Sequence, residues 1–270
     1  MDSGFYAAAN AARRASLRME VLSNNLANVN TNGFKGENVR FESYMTGPDI
    51  EQFPLPTDNF LSPRAPGQVP FPFMNPASSA YPMTYPAAID TTADLSQGAL
   101  KETGNAMDLA LDGPGMFVVD TPDGRRLTRD GAFSLNTAGQ IVTKDGYPVM
   151  GEGGAPITVG GGYVGIAPDG IVNTDEGPVG RFLRVMVPRD GLTKVGANLY
   201  SADPLTETQW TPQDPGGFKQ GFIETSNVNP VVEMTRMIES HRSYNAYLEM
   251  IKALDALDGH AVDAIGTIRE

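Results

Sequence analysis

The sequence predicts an α+β protein: an antiparallel β domain, a sandwich or small barrel of short strands, carried between long N- and C-terminal coiled-coil helices, with an extended proline-rich arm. Three observations predict it. Apolar residues recur at heptad spacing at both ends of the chain, six Asp-Gly pairs punctuate the middle, and 10 of the 21 prolines crowd into residues 46–99. The divisions that follow are an N-terminal helix and Asn-rich turn (1–45), the arm (46–93), the β domain (94–203), a return segment (204–228) and a C-terminal helix (229–270).

The N-terminal helix rests on the stripe Phe5, Ala8, Ala12, Ala15, Met19, Leu22, Leu26, Val29, whose steps alternate between three and four residues. That spacing places all eight on one narrow seam. Alanines in its first half let a partner backbone come close, and Asp2 or Ser3 is suited to cap the start. The seam runs into Ser23–Lys35, SNNLANVNTNGFK, where Asn24, Asn25, Asn28, Asn30 and Asn32 fall within nine residues. Asparagine competes with the helix for backbone groups, so a cluster marks a helix end. Asn32-Gly33 supplies a left-handed stop, and Phe34 follows as a hydrophobic fastening. Two readings of the amides stay open: an ordinary polar cap, or side chains that bond a neighbouring backbone.

The arm follows. Between Ala65 and Ile89 there is no charged residue, while Phe71, Phe73, Met74, Tyr81, Met83 and Tyr85 are scattered through it. Proline at this density forbids helix and ladder, and disordered chains are poor in aromatics and rich in net charge. An extended segment lying on another surface is therefore expected.

Next come Asp112-Gly113, Asp123-Gly124, Asp130-Gly131, Asp145-Gly146, Asp169-Gly170 and Asp190-Gly191. Asp-Gly provides the positive φ that tight hairpins need. Short runs such as MFVVD (116–120), QIVTK (140–144) and FLRVMVP (182–188) lie between these turns as strands. Asn229-Pro230 then opens the second helix, proline losing nothing at a first helical position. Its seam is Met234, Met237, His241, Tyr244, Leu248, Ile251, and it drifts to Met250, Leu254, Leu257 beyond. Helices of about 25 and 35 residues would span roughly 40 and 50 Å.

Composition excludes several functions. The 270 residues carry 20 Lys and Arg against 32 Asp and Glu, a formal net charge of −12, with no cysteine and two histidines. Disulfides, thiolate catalysis and cysteine-type metal sites are ruled out, and no cofactor is expected. The acidic balance argues against nucleic acid as a partner. No run of 18 apolar residues predicts a transmembrane span. Arg13, Arg14 and Arg18 interrupt the N-terminal small residues, so no cleaved signal peptide is expected. The acidity is uneven: the first 35 residues hold four basic and two acidic side chains.

Catalytic readings fare poorly. Asp112, Asp123 and Asp130 all precede glycine and are explained as turn residues, which weakens a carboxylate pair for glycoside chemistry built on them with Asp108 or Asp120. The glycine runs 151–156 and 160–163 lack the Lys-Ser/Thr ending of a phosphate loop. Thr174–Gly177 lacks the ligand spacing of a calcium loop. His241 sits on the helix seam as a packing residue, and His260 has no companion. No catalytic, cofactor-binding or metal-binding residue is proposed. A secreted β-domain adhesin using the aromatics of 71–85 is the competing reading outside assembly.

SNNLANVNTNGFK after a heptad helix resembles the signature of the bacterial flagellar rod and hook protein family. TGNAMDLALDGPGMFVV (103–119), RLTRDGAFSLNTAGQIVTKDGYPVMG (126–151) and PDGIV (168–172) resemble its central domain, and GFIETSNVNPVVEMTRMIESHRSY (221–244) its C-terminal signature. The match is loose over 46–99 and about 151–220. The MDSGFY start, modest length and SNVNPVVEMTRMI run are most similar to the proximal rod component, with a distal rod or hook protein as the alternative. The resemblance implies a structural subunit, not an enzyme, of the basal-body rod in the periplasm. It implies polymerisation with copies of itself and with neighbouring rod and hook proteins into a helical tube around the export channel, and export by the flagellar type III apparatus. The residues expected at the assembly interface are Phe5, Ala8, Ala12, Ala15, Met19, Leu22, Asn24, Asn25, Leu26, Asn28, Val29, Gly33, Phe34, Met234, Met237, His241, Tyr244, Leu248 and Ile251.

Overall fold

A computed structural model describes residues 2–46, 83–160, 162–188, 191–196, 198–203, 205–212 and 214–266. The order of elements is α1 (Asp2–Ala27), β1 (Glu37–Thr46), β2 (Met83–Ala93), β3 (Leu100–Glu102), β4 (Leu109–Asp112), β5 (Met116–Thr121), β6 (Gly124–Thr128), β7 (Ser134–Leu135), β8 (Ile141–Val142), β9 (Val164–Ile166), β10 (Ile171–Thr174), β11 (Gly177–Arg181), β12 (Arg184–Met186), β13 (Leu192–Gly196), β14 (Leu199–Ala202), β15 (Thr208–Gln209), β16 (Gly217–Gln220), β17 (Phe222–Glu224) and α2 (Pro230–Gly266). The architecture is α+β, with mostly antiparallel strands between an N-terminal and a C-terminal helix. Most of the expected arm, residues 47–82, lies outside the described residues; its flanks β1 and β2 pair as a two-stranded ribbon.

The chain divides into two compact units. One comprises Met1–Ala15, Val39–Asp90 and Ser243–Glu270, the other Ser16–Asn38 and Thr91–Arg242. In the first, Ala8, Ala12 and Ala15 of α1 are buried while Phe5 and Tyr6 are exposed. A methyl group added to Gly4 would stand 3.7 Å from Leu254 Cδ1, so the start of α1 lies against the second half of α2. Arg14 places its guanidinium 5.7 Å from the Phe41 ring centre, within cation–π range.

The second unit holds the β structure. Its main sheet has the order β13-β14-β6-β5-β12-β15, beside a three-stranded sheet β11-β10-β9. The unbroken apolar run of β5 has a physical reason: its alternate residues feed two different cores. Phe117 and Val119 join the larger, with Leu109, Phe133, Phe182, Trp210 and Phe218. Met116 and Val118 join the smaller, with Leu127, Val185 and Tyr200. Phe117 and Phe133 meet edge to face at 5.0 Å, and Trp210 and Phe218 at 5.6 Å.

Gly113, Gly124, Gly146 and Gly170 of the Asp-Gly pairs have positive φ. Gly131 answers a different need. A Cβ there would collide with the carbonyl oxygen of Leu109, to which the chain is tied by the bridge between Asp108 and Ala132. Asp190 lies outside the described residues. The segment 204–228, expected as a return connection, carries three strands: β15 pairs with β12, β16 with β4, and β17 with β3. Entry strands and exit strands therefore run side by side, and the chain leaves the β structure where it entered.

Candidate functional site

Where the chain enters and leaves, the N-terminal turn, the β structure and the C-terminal segment close on one another through buried charge. Glu224, on β17, is 2% exposed. Its Oε1 accepts from Lys35 Nζ at 2.5 Å and from Gly98 N at 2.8 Å, and its Oε2 from Arg129 Nε at 2.5 Å. Lys35 also donates to Ser96 O at 2.7 Å. Burial pushes the Lys35 ammonium below its ordinary value and the Arg129 charge beside it adds to that, while Glu224 opposes both. One carboxylate thus serves two buried cations.

Arg129 goes further. It donates to the carbonyls of Leu111, Gly113 and Gly115, at 3.2 Å and 2.6 Å for the first two. Arg184, 1% exposed, takes the carbonyls between them, Asp112 at 2.8 Å and Pro114 at 2.9 Å, and reaches Gly217 O at 3.3 Å. The loop joining β4 to β5 turns its carbonyls alternately to two sides, and one guanidinium holds each set. The Arg184 guanidinium stands 4.7 Å from the Trp210 ring centre. Burial, with Arg129 nearby, lowers its pKa to about 10, so it stays protonated at neutral pH.

Asparagines complete the arrangement. Buried Asn25 pairs with the peptide of Glu37 on both sides: its Nδ2 donates to Glu37 O and its Oδ1 accepts from Glu37 N, each at 2.9 Å. The same Nδ2 reaches Glu233 Oε2 of α2 at 3.2 Å. Asn227 accepts from Gly36 N at 2.8 Å and donates to Asp94 O at 2.8 Å. Asn229 Oδ1 caps α2 through the N–H groups of Val231 and Val232. Gly33, at φ 65°, donates to Glu224 O at 2.8 Å, and a Cβ there would stand 2.5 Å from Arg129 O and Asp130 N. Only glycine allows this approach.

Three family profiles match in chain order. They are the flagella basal body rod protein at residues 5–35, the flagellar hook protein FlgE/F/G D1 domain at 110–174, and the flagellar basal body rod FlgEFG protein C-terminal region at 219–263. Among characterised relatives, the flagellar basal-body rod protein FlgF of Caulobacter vibrioides is 32% identical over 99% of this chain and 100% of its own length. The chain belongs to the flagellar basal-body rod protein family. FlgF of Mesorhizobium japonicum is 31% identical over 99% of both chains, and FlgG of Buchnera aphidicola subsp. Schizaphis graminum is 34% identical over 89% of this chain and 91% of its own.

Each rod-family region contributes one member of the ion cluster: Lys35 from the first, Arg129 from the second, Glu224 from the third. The expected interface residues fall into distinct settings. Ala8, Ala12, Ala15 and Leu22 are buried, as are Asn25, Gly33 and Phe34, while Met19, Leu26, Asn28 and Val29 are half-buried and Phe5 and Asn24 exposed. On α2, Met237, Tyr244, Leu248 and Ile251 are half-buried and Met234 and His241 exposed. Asn28 turns inward on its own turn, donating to Asn24 O at 2.9 Å and accepting from Thr31 Oγ1 at 3.2 Å. The Lys35–Glu224–Arg129 cluster and the asparagines around it form a clasp, which brings together Asn25, Gly33 and Phe34 of that set. Its charged members Lys35, Arg129 and Glu224, and Asn227, fall outside that set, although all four lie within the quoted motifs. Among the described residues no cluster of three metal-ligating side chains occurs, and no helix is long and apolar enough to cross a membrane.

Proposed function

We infer that this chain is a structural subunit of the proximal flagellar rod. In this reading it polymerises through its terminal helices, paired as a coiled coil, into a tube around the export channel. The observation that carries this lies on the first half of α2. Its buried positions are Glu233 and Ser240, whereas Val231, Met234 and Ile238 are exposed at 70%, 50% and 55%. An amphipathic helix of a finished globule does the opposite. Apolar residues at steps of three and four facing water form a second seam that awaits a neighbour.

The clasp supports the same reading. It fixes the end of α1 and the start of α2 to the β structure by buried ion pairs and a bidentate amide, so a load on either helix passes into the β core without a loose joint. End-to-end similarity to FlgF favours the proximal position; the 34% identity to a FlgG favours the distal rod as the second reading. Type III export, assembly beside hook and rod neighbours in the periplasm, and the absence of catalysis belong to the same proposal.

Leu22, 6% exposed on the α1 seam, provides the test. Cells carrying Leu22→Asp are expected to lack complete rods in electron micrographs of basal bodies and to be non-motile, with Trp210 emission of the purified chain still that of a buried indole. Motile cells with complete rods would refute the reading.

A further inference from the structure

Asn32-Gly33 is the single Asn-Gly pair in the 270 residues, and it stands inside the clasp. Asn-Gly is the dipeptide most prone to close on itself. The backbone nitrogen after an asparagine attacks that side chain's amide carbon, and glycine, without a Cβ, puts nothing in its way. Among the described residues the side chain under attack makes no hydrogen bond: Asn32 lies half-buried on the wall of a groove.

The attacking peptide group, by contrast, is held on both edges. Its carbonyl, Asn32 O, accepts from Asn198 Nδ2 at 2.9 Å, and its N–H, on Gly33, donates to Glu224 O at 2.8 Å. These two groups lie on opposite edges of one planar unit, so holding both fixes the plane. Both anchors are themselves secured. The Glu224 carboxylate is bound to Lys35 and Arg129 at 2.5 Å, and Asn198 O accepts from Thr128 Oγ1 at 3.1 Å. Gly33 is buried, with the Arg129–Asp130 peptide where a Cβ would stand. Ring closure needs the plane to turn until the Gly33 nitrogen faces Asn32 Cγ, and it needs the N–H proton to leave. The clasp opposes both.

We propose that Asn32 is a deamidation site gated by the clasp, silent while Glu224 and Asn198 hold the peptide between residues 32 and 33 and reactive once they release it. In the step, the Gly33 N–H gives its proton to a solvent base and the nitrogen bonds to Asn32 Cγ. The Cγ–Nδ2 bond breaks, and Nδ2 takes a proton from solvent and leaves as ammonia. Water then opens the cyclic imide at either carbonyl: at Cγ it gives aspartate, and at the main-chain carbon it gives isoaspartate, whose backbone runs through Cγ. Isoaspartate lengthens the chain by one carbon, about 1.5 Å, exactly where two hydrogen bonds and a neighbouring peptide fix the spacing, so the clasp cannot close as before. Either product adds a carboxylate to a groove wall that already holds Asp130 and Asp145. Time spent with the clasp open is thereby converted into a permanent mark on the chain.

The experiment incubates the purified full chain in mildly alkaline buffer, with and without urea above its unfolding midpoint. Residue 32 is followed by peptide mass mapping for the amide-to-acid change, and Trp210 emission reports on the β core. Ring closure in the folded chain waits on local opening, so its rate is expected to be lower than in urea by about a hundredfold. Asn198→Gly accepts the φ of 58°, removes one of the two holds and raises the folded rate by about fivefold, the worth of one hydrogen bond. Chain deamidated in urea and returned to buffer is expected to show a lowered urea midpoint in its isoaspartate fraction. Equal rates with and without urea, an unchanged rate in Asn198→Gly with Trp210 still buried, or an isoaspartate fraction that regains the full midpoint would each overturn the gate. The first and last of these comparisons need no variant.

Discussion

The buried cluster at the clasp makes an asymmetric prediction. Glu224 is the single carboxylate between Lys35 and Arg129, at 2.5 Å from each. Glu224→Gln keeps the volume and removes the charge, leaving two buried cations facing a neutral amide. Removing one partner of a buried pair costs about 3–5 kcal/mol, and the amide NH₂ also opposes one of the former donors. We expect a loss near the middle of that range, about 4 kcal/mol, a large share of the 5–15 kcal/mol that holds a typical domain. Lys35→Met is different in kind. It removes one of two cations, relieves a desolvated ammonium, and leaves Arg129 and Glu224 paired one to one. Its cost is the net of two charge-assisted hydrogen bonds, about 1.5–3 kcal/mol each, offset in large part by the relief. The assay is urea denaturation followed at Trp210, the chain's single tryptophan, 4% exposed in the β core. At a slope of about 3 kcal/mol per molar, Glu224→Gln lowers the midpoint by about 1.3 M and Lys35→Met by less. Equal shifts, or a larger one for Lys35→Met, would refute the charge count on which the reasoning stands.

Two further outcomes follow from the same region. Gly33→Ala, with φ at 65° and the Arg129–Asp130 peptide in the way, should cost about 3 kcal/mol or more, read as a lowered midpoint with faster hydrogen exchange at Gly33 and Phe34. Asp130 has its carboxyl pKa raised by burial, against the bond that its Oδ1 accepts from Ala132 N. A carboxyl raised on folding binds its proton more tightly when folded. Its contribution is therefore full below the ordinary value of 3.8 and is lost as pH rises through the raised one. Asp130→Asn keeps the bond from Ala132, so its melting temperature relative to the wild type should climb as pH is raised from 3.5 toward neutrality; a difference that is flat with pH would refute this.

Both helices, the cap of the second and the strand-rich middle were legible because each rests on a local signal: heptad steps, Asn229 before Pro230, and glycine after aspartate; the first helix already includes Asp2 and Ser3, the residues expected to cap it. Asn32-Gly33 was legible for the same reason. The clasp was less so. Nothing local in SNNLANVNTNGFK tells Asn25 from Asn30, since both are amides near a helix end; one is buried because Glu37 and Glu233 arrive from 12 and 208 residues away. Lys35, Arg129 and Glu224 are likewise joined only by long-range closure. The second-helix stripe shows the limit most clearly. Steps of three and four identify Met234, Met237 and His241 as one face but say nothing of which face is covered, and in this chain Glu233 and Ser240 take the covered side.

The side-by-side pairing of β3 with β17 and β4 with β16 has a consequence for how such a protein changes over time. Everything between Asp112 and Gly217 departs from and returns to one pair of adjacent backbones, so that stretch is a cartridge seated in a socket. Its contents are free to grow, shrink or be exchanged wherever they leave Arg129, Lys194 and Asn198 in place, because those three hold Glu224, Glu37 and the Asn32 carbonyl. The socket asks of any replacement that its ends lie one strand spacing apart, about 4.8 Å, and that it return a cation to Glu224. Inserting an unrelated domain with neighbouring termini at the Asp123-Gly124 turn, which spares those residues, should leave the helical framework able to assemble, which turns a rod subunit into a carrier for chosen cargo.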